Sequence, residues 1–257
     1  MTFNIGIDVG TRSVRMVVKG RGAVLRESSA VATREGAMIA QGDEALSMLG
    51  RCPQNVSVDF PMEGASVGNE TALAAWLAFL LKQAVASGLV HRPRLLIARA
   101  PDMTPGMMRR FTTMAMEAGA FACAMMRADA LAAVGAGIDI EKPRCALVAQ
   151  AGAGAMSASL ICRGRVTACA TLPYGFSRAD EEIQRALLRE HGFCVGLRAA
   201  EAAKIALGGA PETLAGFNRA KGFPGTLEVP PETLIPFVTP CADALVNLCL
   251  WALDQAE

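Results

Sequence analysis

The feature that most constrains the fold of this 257-residue chain is a pattern that occurs twice. Residues 3–9 (FNIGIDV) alternate apolar and small side chains, Gly10-Thr11 makes a turn, and Val14–Val18 returns as a second strand. Cys145–Gln150, Gly152-Ala153-Gly154 and Ala158–Cys162 repeat that strand, glycine turn and strand. Alternation at period 2 marks a half-buried strand, and a glycine turn between two such runs marks a hairpin. Each copy precedes further strands and long helices, so the pattern implies internal duplication and two similar α/β lobes.

The remaining segments fill in that scheme. Further strands are expected at Gly22–Leu25, Ser29–Thr33, Arg94–Ala98 and Met125–Arg127. Thr71–Ser87 has helical periodicity without Pro or Gly, and Thr104 caps a helix running from Pro105 to Gly119. The Met-rich run in that segment (Met103, Met107, Met108, Met114, Met116) reads as helix core. Helices are also expected at Asp43–Leu49, Asp129–Gly135, Ala179–Glu190, Ala199–Leu207 and Pro240–Gln255, with Pro211–Pro231 irregular or short-stranded. Lys142-Pro143 reads as a boundary, giving a first lobe at 1–143, a second at 144–240, and a helix at 241–257 returning toward the first.

Composition narrows the classes of function. Hydrophobic residues make up 52% and charged residues 19%, which fits a well-buried globular chain. The formal net charge of +1 asks for no nucleic acid or acidic partner. Arg12, Arg15, Lys19 and Arg21 read as a solvated strand face. The eight cysteines form no CxxC pair, and His91 and His191 stand alone. The expectation is reduced core thiols in a cytoplasmic protein, without a zinc site or a disulfide framework. The opening residues lack a signal-peptide pattern, and the longest apolar run, Ala72–Leu81, is too short to span a bilayer.

Paired turns carry a chemistry. A turn between two strands at a lobe entrance presents backbone N–H groups to phosphate oxygens, and two such turns across a cleft clamp a phosphate chain. A carboxylate just before the turn, here Asp8, is placed to hold magnesium. Taken alone, Asp8-Val9-Gly10-Thr11 reads as an ordinary β-turn rather than a phosphate turn.

The ordered segments decide between these readings. IDVGTRSVRMVVKGRGAVLRESSAVAT, GDEALSMLGRCPQN, FPMEG, RPRLLIARAP, EAGAFACAMMRADALAAVGAGI and HGFCVGLRAAEAAKIALGGA follow in order over almost the whole chain. The set resembles the rod-shape-determining MreB-like family of the actin/Hsp70 class. That resemblance implies a two-lobed actin-like (ribonuclease H-like) α/β ATPase fold. It further implies an ATP or ADP cleft with Mg2+, self-assembly into filaments, and a cytoplasmic place at the inner membrane beside wall-synthesis proteins.

Carried over residue by residue, the resemblance gives an altered site. The first turn keeps Asp8, Gly10 and Thr11, with Asp8 as the implied metal ligand. Where the family has D-I-G-G-G-T, this chain has Gln150-Ala151-Gly152-Ala153-Gly154-Ala155, so an acid and a hydroxyl are gone while Gly152 and Gly154 remain. The family's E-E-P, which positions the attacking water, is Arg127-Ala128-Asp129 here. The GDE turn is Phe176-Ser177-Arg178. Glu201 and Lys204 match the adenosine-pocket helix; read without the family they are an i,i+3 surface pair. Leu89 and Val90 match a loop that dips into the membrane in relatives; without the family they cap the preceding helix against the core.

Relatives continue past the final helix into a strand and a glycine-rich turn over the adenosine. The resemblance therefore implies that the fold here lacks the last part of the first lobe, by native deletion or because the chain is a fragment, with first-lobe strands losing a neighbour. The functional expectation is a shape-determining actin homologue that assembles with copies of itself or with a full-length relative. It binds nucleotide weakly or not at all and has lost hydrolysis, so no catalytic residue is assigned. The alternatives are an active ATPase using Asp129 as base, or a sugar- or acid-kinase relative sharing the clamp.

Overall fold

The computed structural model describes residues 2–142, 144–207 and 212–255. The boundary residue Pro143, and Pro211 at the start of the segment read as irregular, lie outside them. The opening hairpin is β1 (Ile5–Val9) and β2 (Ser13–Val18), followed by β3 (Gly22–Ser28). Ile5, Ile7, Val9, Val14, Met16 and Val18 point into the core, as period 2 requires.

A small three-stranded sheet follows from β4 (Val31–Arg34), β5 (Ala37–Gln41) and β6 (Val56–Asp59), with α1 (Gly42–Met48) packed on it. The short ladder β7 (Met62–Glu63) and β8 (Ser66–Val67) leads to α2 (Glu70–Ala86), whose first turn is capped by Asn69 Oδ1 accepting from Ala72 N–H at 3.0 Å. Next come β9 (Arg94–Arg99), α3 (Pro105–Glu117) and β10 (Ala122–Arg127). Thr104 caps α3 as expected, its Oγ1 accepting from Met107 N–H at 3.3 Å. The main sheet has the order β10-β9-β1-β2-β3, with β9 and β10 parallel to β1. Trp76, Leu73, Leu77, Leu80, Leu95, Ile97 and Phe111 fill its core.

After α4 (Ala128–Gly135) comes a second sheet, β11 (Cys145–Ala151), β12 (Met156–Cys162) and β13 (Arg165–Leu172), in sequential order. Then follow α5 (Ser177–His191), β14 (Phe193–Val195), α6 (Leu197–Ile205), β15 (Glu212–Asn218), β16 (Phe223–Val229) and α7 (Pro231–Asp254). Strands β14, β15 and β16 form a further antiparallel sheet.

Several expectations are corrected. The segment read as irregular or short-stranded is stranded, carrying the β15–β16 hairpin; Gly216, Pro224 and Gly225 within it weaken the strand pattern. The last helix starts at Pro231 and runs through Pro236 and Pro240, so a division after residue 240 cuts one continuous helix. That helix packs on β11, β12 and β13 and does not return toward the first sheet. By length and composition it is the helix among the described residues that could cross a membrane. Of the two opening strands, β1 has a partner on both sides, whereas its counterpart β11 pairs with β12 alone among the described residues; β3 and β10 are the edges of the main sheet. Finally, Cys145 and Cys162 form a disulfide across the last rung of the β11–β12 pair. Register, not local spacing, brings them together, so the sequence pattern gave no sign of it.

Candidate functional site

The first turn is anchored from below. Gly10 N–H donates to Ser13 O at 2.9 Å. Ser29 takes the next two carbonyls, its Oγ donating to Thr11 O at 2.8 Å and its N–H to Arg12 O at 3.1 Å. Ser29 is itself buried, and its carbonyl accepts from Trp76 Nε1 at 2.7 Å. The core of the first lobe thus fixes the turn.

The second turn is held by the start of α5. Gly152 N–H donates to Ala155 O at 3.0 Å. Phe176 N–H donates to Gly152 O at 3.0 Å, and Ser177 holds Ala153 O through its N–H at 3.0 Å and its Oγ at 2.7 Å. Gly175 must be glycine, since a Cβ there would stand 2.6 Å from Ala153 O. The two turns meet directly. Thr11 Oγ1 accepts from Gly64 N–H at 3.2 Å, and a Cβ on Gly154 would press on Thr11 Oγ1 and stand 2.9 Å from Gly64 N.

Cavities open on either side of this contact. One, of about 320 Å³, is lined by residues including Asp8, Gly10, Thr11, Asp102, Gln150, Gly152 and Gly154. The other, of about 690 Å³, has Arg12, Phe60, Glu63, Tyr174, Ser177 and Arg178 among its walls. Five of the residues picked out in the sequence, Asp8, Gly10, Thr11, Gly152 and Gly154, therefore surround one space.

The charges around that space differ from expectation. Arg15 is directly opposite Asp8 in the hairpin register, and its Nη1 lies 3.4 Å from Asp8 Oδ2. Arg12 stacks 4.3 Å over the Phe60 ring and lines both cavities. Arg15 is exposed on the outer face of β2, as a solvated strand face requires, and together with Arg12 it also lines the cleft. A hairpin closing as Val9 opposite Val14 already places Arg15 against Asp8, which is the signal that would have found it. Burial pushes the Asp8 carboxyl above its usual range, against the lowering pull of Arg15. Gln150 Oε1 accepts from Ser157 Oγ at 3.2 Å. A divalent cation does not fit this donor set. The acid at the first turn is paired with a guanidinium, and the side chain at the second is a neutral amide already bonded.

In the Arg127-Ala128-Asp129 segment, set by the resemblance against E-E-P with Arg127 at the first Glu and Asp129 at the Pro, the two charged side chains bind each other. Nε donates to Oδ1 at 3.0 Å and Nη2 to Oδ2 at 2.5 Å. Asp129 is fully buried and also accepts from Ser159 Oγ and from Ala130 N–H at 2.8 Å. Burial alone would raise its carboxyl, but the bonds from Arg127, Ser159 and Ala130 outweigh it and leave the group below its usual range. Ser159 lies on β12, so the cluster ties the end of the first sheet to the second. Neither Arg127 nor Asp129 lines the two cavities.

Glu201 and Lys204 sit outside both cavities too. Lys204 Nζ donates to Phe176 O at 3.1 Å and lies 2.7 Å from Asp180 Oδ1, off a good hydrogen-bonding angle. Burial raises the Asp180 carboxyl against the pull of Lys204, and Glu201 adds to the rise. In this geometry Lys204 braces the start of α5, and through it the second turn. Val90 is only 6% exposed and belongs to the first core, with Leu89 packed against it. Both N–H groups bond Ala84 O at 3.1 Å, which closes the end of α2, so the Val90 side chain is not available to a membrane.

Paired hairpins facing across a cleft, each leading into its own α/β lobe, define the actin-like class. Within that class a sequence model of the MreB/Mbl protein family matches residues 2–255, and the chain belongs to that family. It is 30% identical over 204 residues to the cell shape-determining protein Mbl of Bacillus subtilis, covering 79% of this chain and 61% of that one. To MreB of Escherichia coli K12 it is 26% identical over 266 residues, covering 98% and 77%. The chain thus spans less than two thirds of the Bacillus subtilis relative. Among solved structures, MreB5 of Spiroplasma citri bound to ADP superposes with a TM-score of 0.89 at 22% identity, covering 97% of this chain and 78% of that one. The MamK double helical filament superposes at 0.71 and 17% identity, covering 95% and 79%.

Proposed function

We propose that this chain is a shape-determining cytoskeletal actin homologue that assembles with copies of itself or with a longer relative, holds nucleotide weakly, and does not hydrolyse it. One observation carries the reading. Where the resemblance puts the first Glu of E-E-P, Arg127 inverts the charge, and Asp129, at the Pro position, is buried with its oxygens engaged. A base must reach the proton it removes, and a water-positioning group is worth several kcal/mol at the transition state. Asp129 meets neither need, which disfavours the alternative of an ATPase built around it.

Nucleotide as the ligand class is supported by relatives of the same fold. MreB5 of Spiroplasma citri is bound to ADP in one structure and to AMPPNP in another. Assembly is supported by the filament form of MamK. A division into lobes near residue 143, with α4 between the two sheets, belongs to the same reading. The inner-membrane surface and wall-synthesis partners enter it through family membership alone.

The test is assembly measured by pelleting and electron microscopy, with ATP, with a non-hydrolysable analogue, and without nucleotide. The expected outcome is filaments, of the chain alone or with a longer relative, equally abundant with ATP and with the analogue. Filaments that form and then disassemble only with ATP would contradict it.

A further inference from the structure

We infer that this cleft takes the phosphate groups of its ligand as a metal-free anion, with the Arg15 guanidinium in the role a divalent cation would otherwise play beside Asp8. The inference rests on the nucleotide-cleft reading and specifies what that cleft requires.

The donor set points this way. The 320 Å³ cavity is lined by two carboxylates, Asp8 and Asp102, and by two guanidinium groups, Arg12 and Arg15. Magnesium is held in such sites by one or two carboxylates together with phosphate oxygens, and it sheds water reluctantly. Here the carboxylate at the first turn already faces Arg15 at 3.4 Å. A divalent ion on Asp8 would have to displace that guanidinium and then remain beside it. The second turn offers no charge to compensate, because Gln150 is neutral and its oxygen accepts from Ser157.

The same arrangement suits an anion. A guanidinium is permanently charged and presents paired donors that match phosphate oxygens, so it supplies charge and geometry together. The Arg15 side chain is 53% exposed, which leaves it free to swing from Asp8 to a ligand. Arg12 stands on the partition between the two cavities, oriented by the Phe60 ring, and gives a second cation along the same path. The N–H groups of Thr11, Arg12, Ala153 and Gly154 have no backbone partner among the described residues. Backbone donors from two facing turns are a recognised anion cradle.

The experiment titrates the full chain with a fluorescent N-methylanthraniloyl-ATP in EDTA and in magnesium, for wild type, Arg15→Ala, Arg15→Lys and Asp8→Ala. Melting curves confirm that each variant is folded. Binding in EDTA is expected within about threefold of binding in magnesium. Arg15→Ala should weaken the EDTA affinity by about tenfold or more, the scale of a lost charged hydrogen bond, with Arg15→Lys in between. Asp8→Ala should tighten it, by freeing Arg15. Competition by tripolyphosphate but not adenosine assigns the recognition to phosphate; the reverse overturns the inference. Binding that needs magnesium and fails in Asp8→Ala also overturns it while leaving the nucleotide reading intact. EDTA binding unchanged by Arg15→Ala has the same effect. No binding in either buffer overturns both.

Discussion

The two lobes begin with the same strand, glycine turn and strand, but hold that hairpin in different ways. In the first, β1 is flanked by β2 and by the parallel β9 in a five-stranded sheet, over a core closed by Trp76, Leu77 and Leu80. In the second, the sheet has three strands, β11 is bonded on one side, and the Cys145–Cys162 disulfide joins the hairpin ends. Both lobes leave apolar side chains exposed, among them Phe121 at 48% in the first and Val246 and Leu250 at 55% and 54% in the second. The chemistry divides along the same line. The deeply anchored turn keeps Asp8, Gly10 and Thr11, whereas the turn on the thinner lobe carries Gln150 and Ala155. A turn's shape survives when backbone bonds from a neighbouring helix hold it, even after its side-chain chemistry has changed.

This contrast is open to direct attack. The largest expected effect is Trp76→Ala, which should destabilise by about 4 kcal/mol, against about 2 kcal/mol for Leu248→Ala on the second sheet. Urea denaturation of both variants checks the order, and a larger loss at Leu248 would break the comparison. Asp129→Ala should destabilise by about 3 kcal/mol, because it leaves Arg127 without its partner at the junction of the sheets.

The same pair sets an acid limit. The folded Asp129 carboxyl lies below the ordinary value of 3.8, so unfolded chains take up its proton first as pH falls. Its contribution is complete above that value and is lost as pH drops through the folded one. Wild type should therefore lose more stability on acidification than Asp129→Asn, which denaturation at stepped pH measures. Reducing the disulfide, which spans 17 residues, should lower stability by about 3 kcal/mol on the loop-entropy estimate. Urea denaturation with and without reductant reads that difference. A negligible shift would show that the second sheet needs no staple.

Much of this architecture is legible in the sequence because it is local. The two hairpins, the helix read over Thr71–Ser87, the Thr104-capped helix and the buried faces of β1 and β2 follow from periodicity and one capping residue. What escapes is whatever depends on register or on packing at a distance. The last helix reads as starting at Pro240, yet α7 begins at Pro231 and continues through Pro236 and Pro240 while packed on the second sheet. Cys145 meets Cys162, and Arg15 meets Asp8, through cross-strand pairing that has to be read from the closure of each hairpin and not from neighbouring residues. The site divides similarly. The turn residues gather around one cavity as their pattern suggests, while Glu201 and Lys204 lie outside it, Lys204 bracing a helix start and Val90 filling the core.

The most direct test of the account is phosphate release from ATP by the purified chain at saturating nucleotide and magnesium, beside the Asp8→Ala variant. The account predicts release no faster than in buffer for both proteins, since Arg127 brings a positive charge to the E-E-P position and the buried Asp129 is held by its partners. Magnesium-dependent turnover by the wild type that disappears in Asp8→Ala would contradict it, and would mean that a rearranged set of residues still performs the reaction.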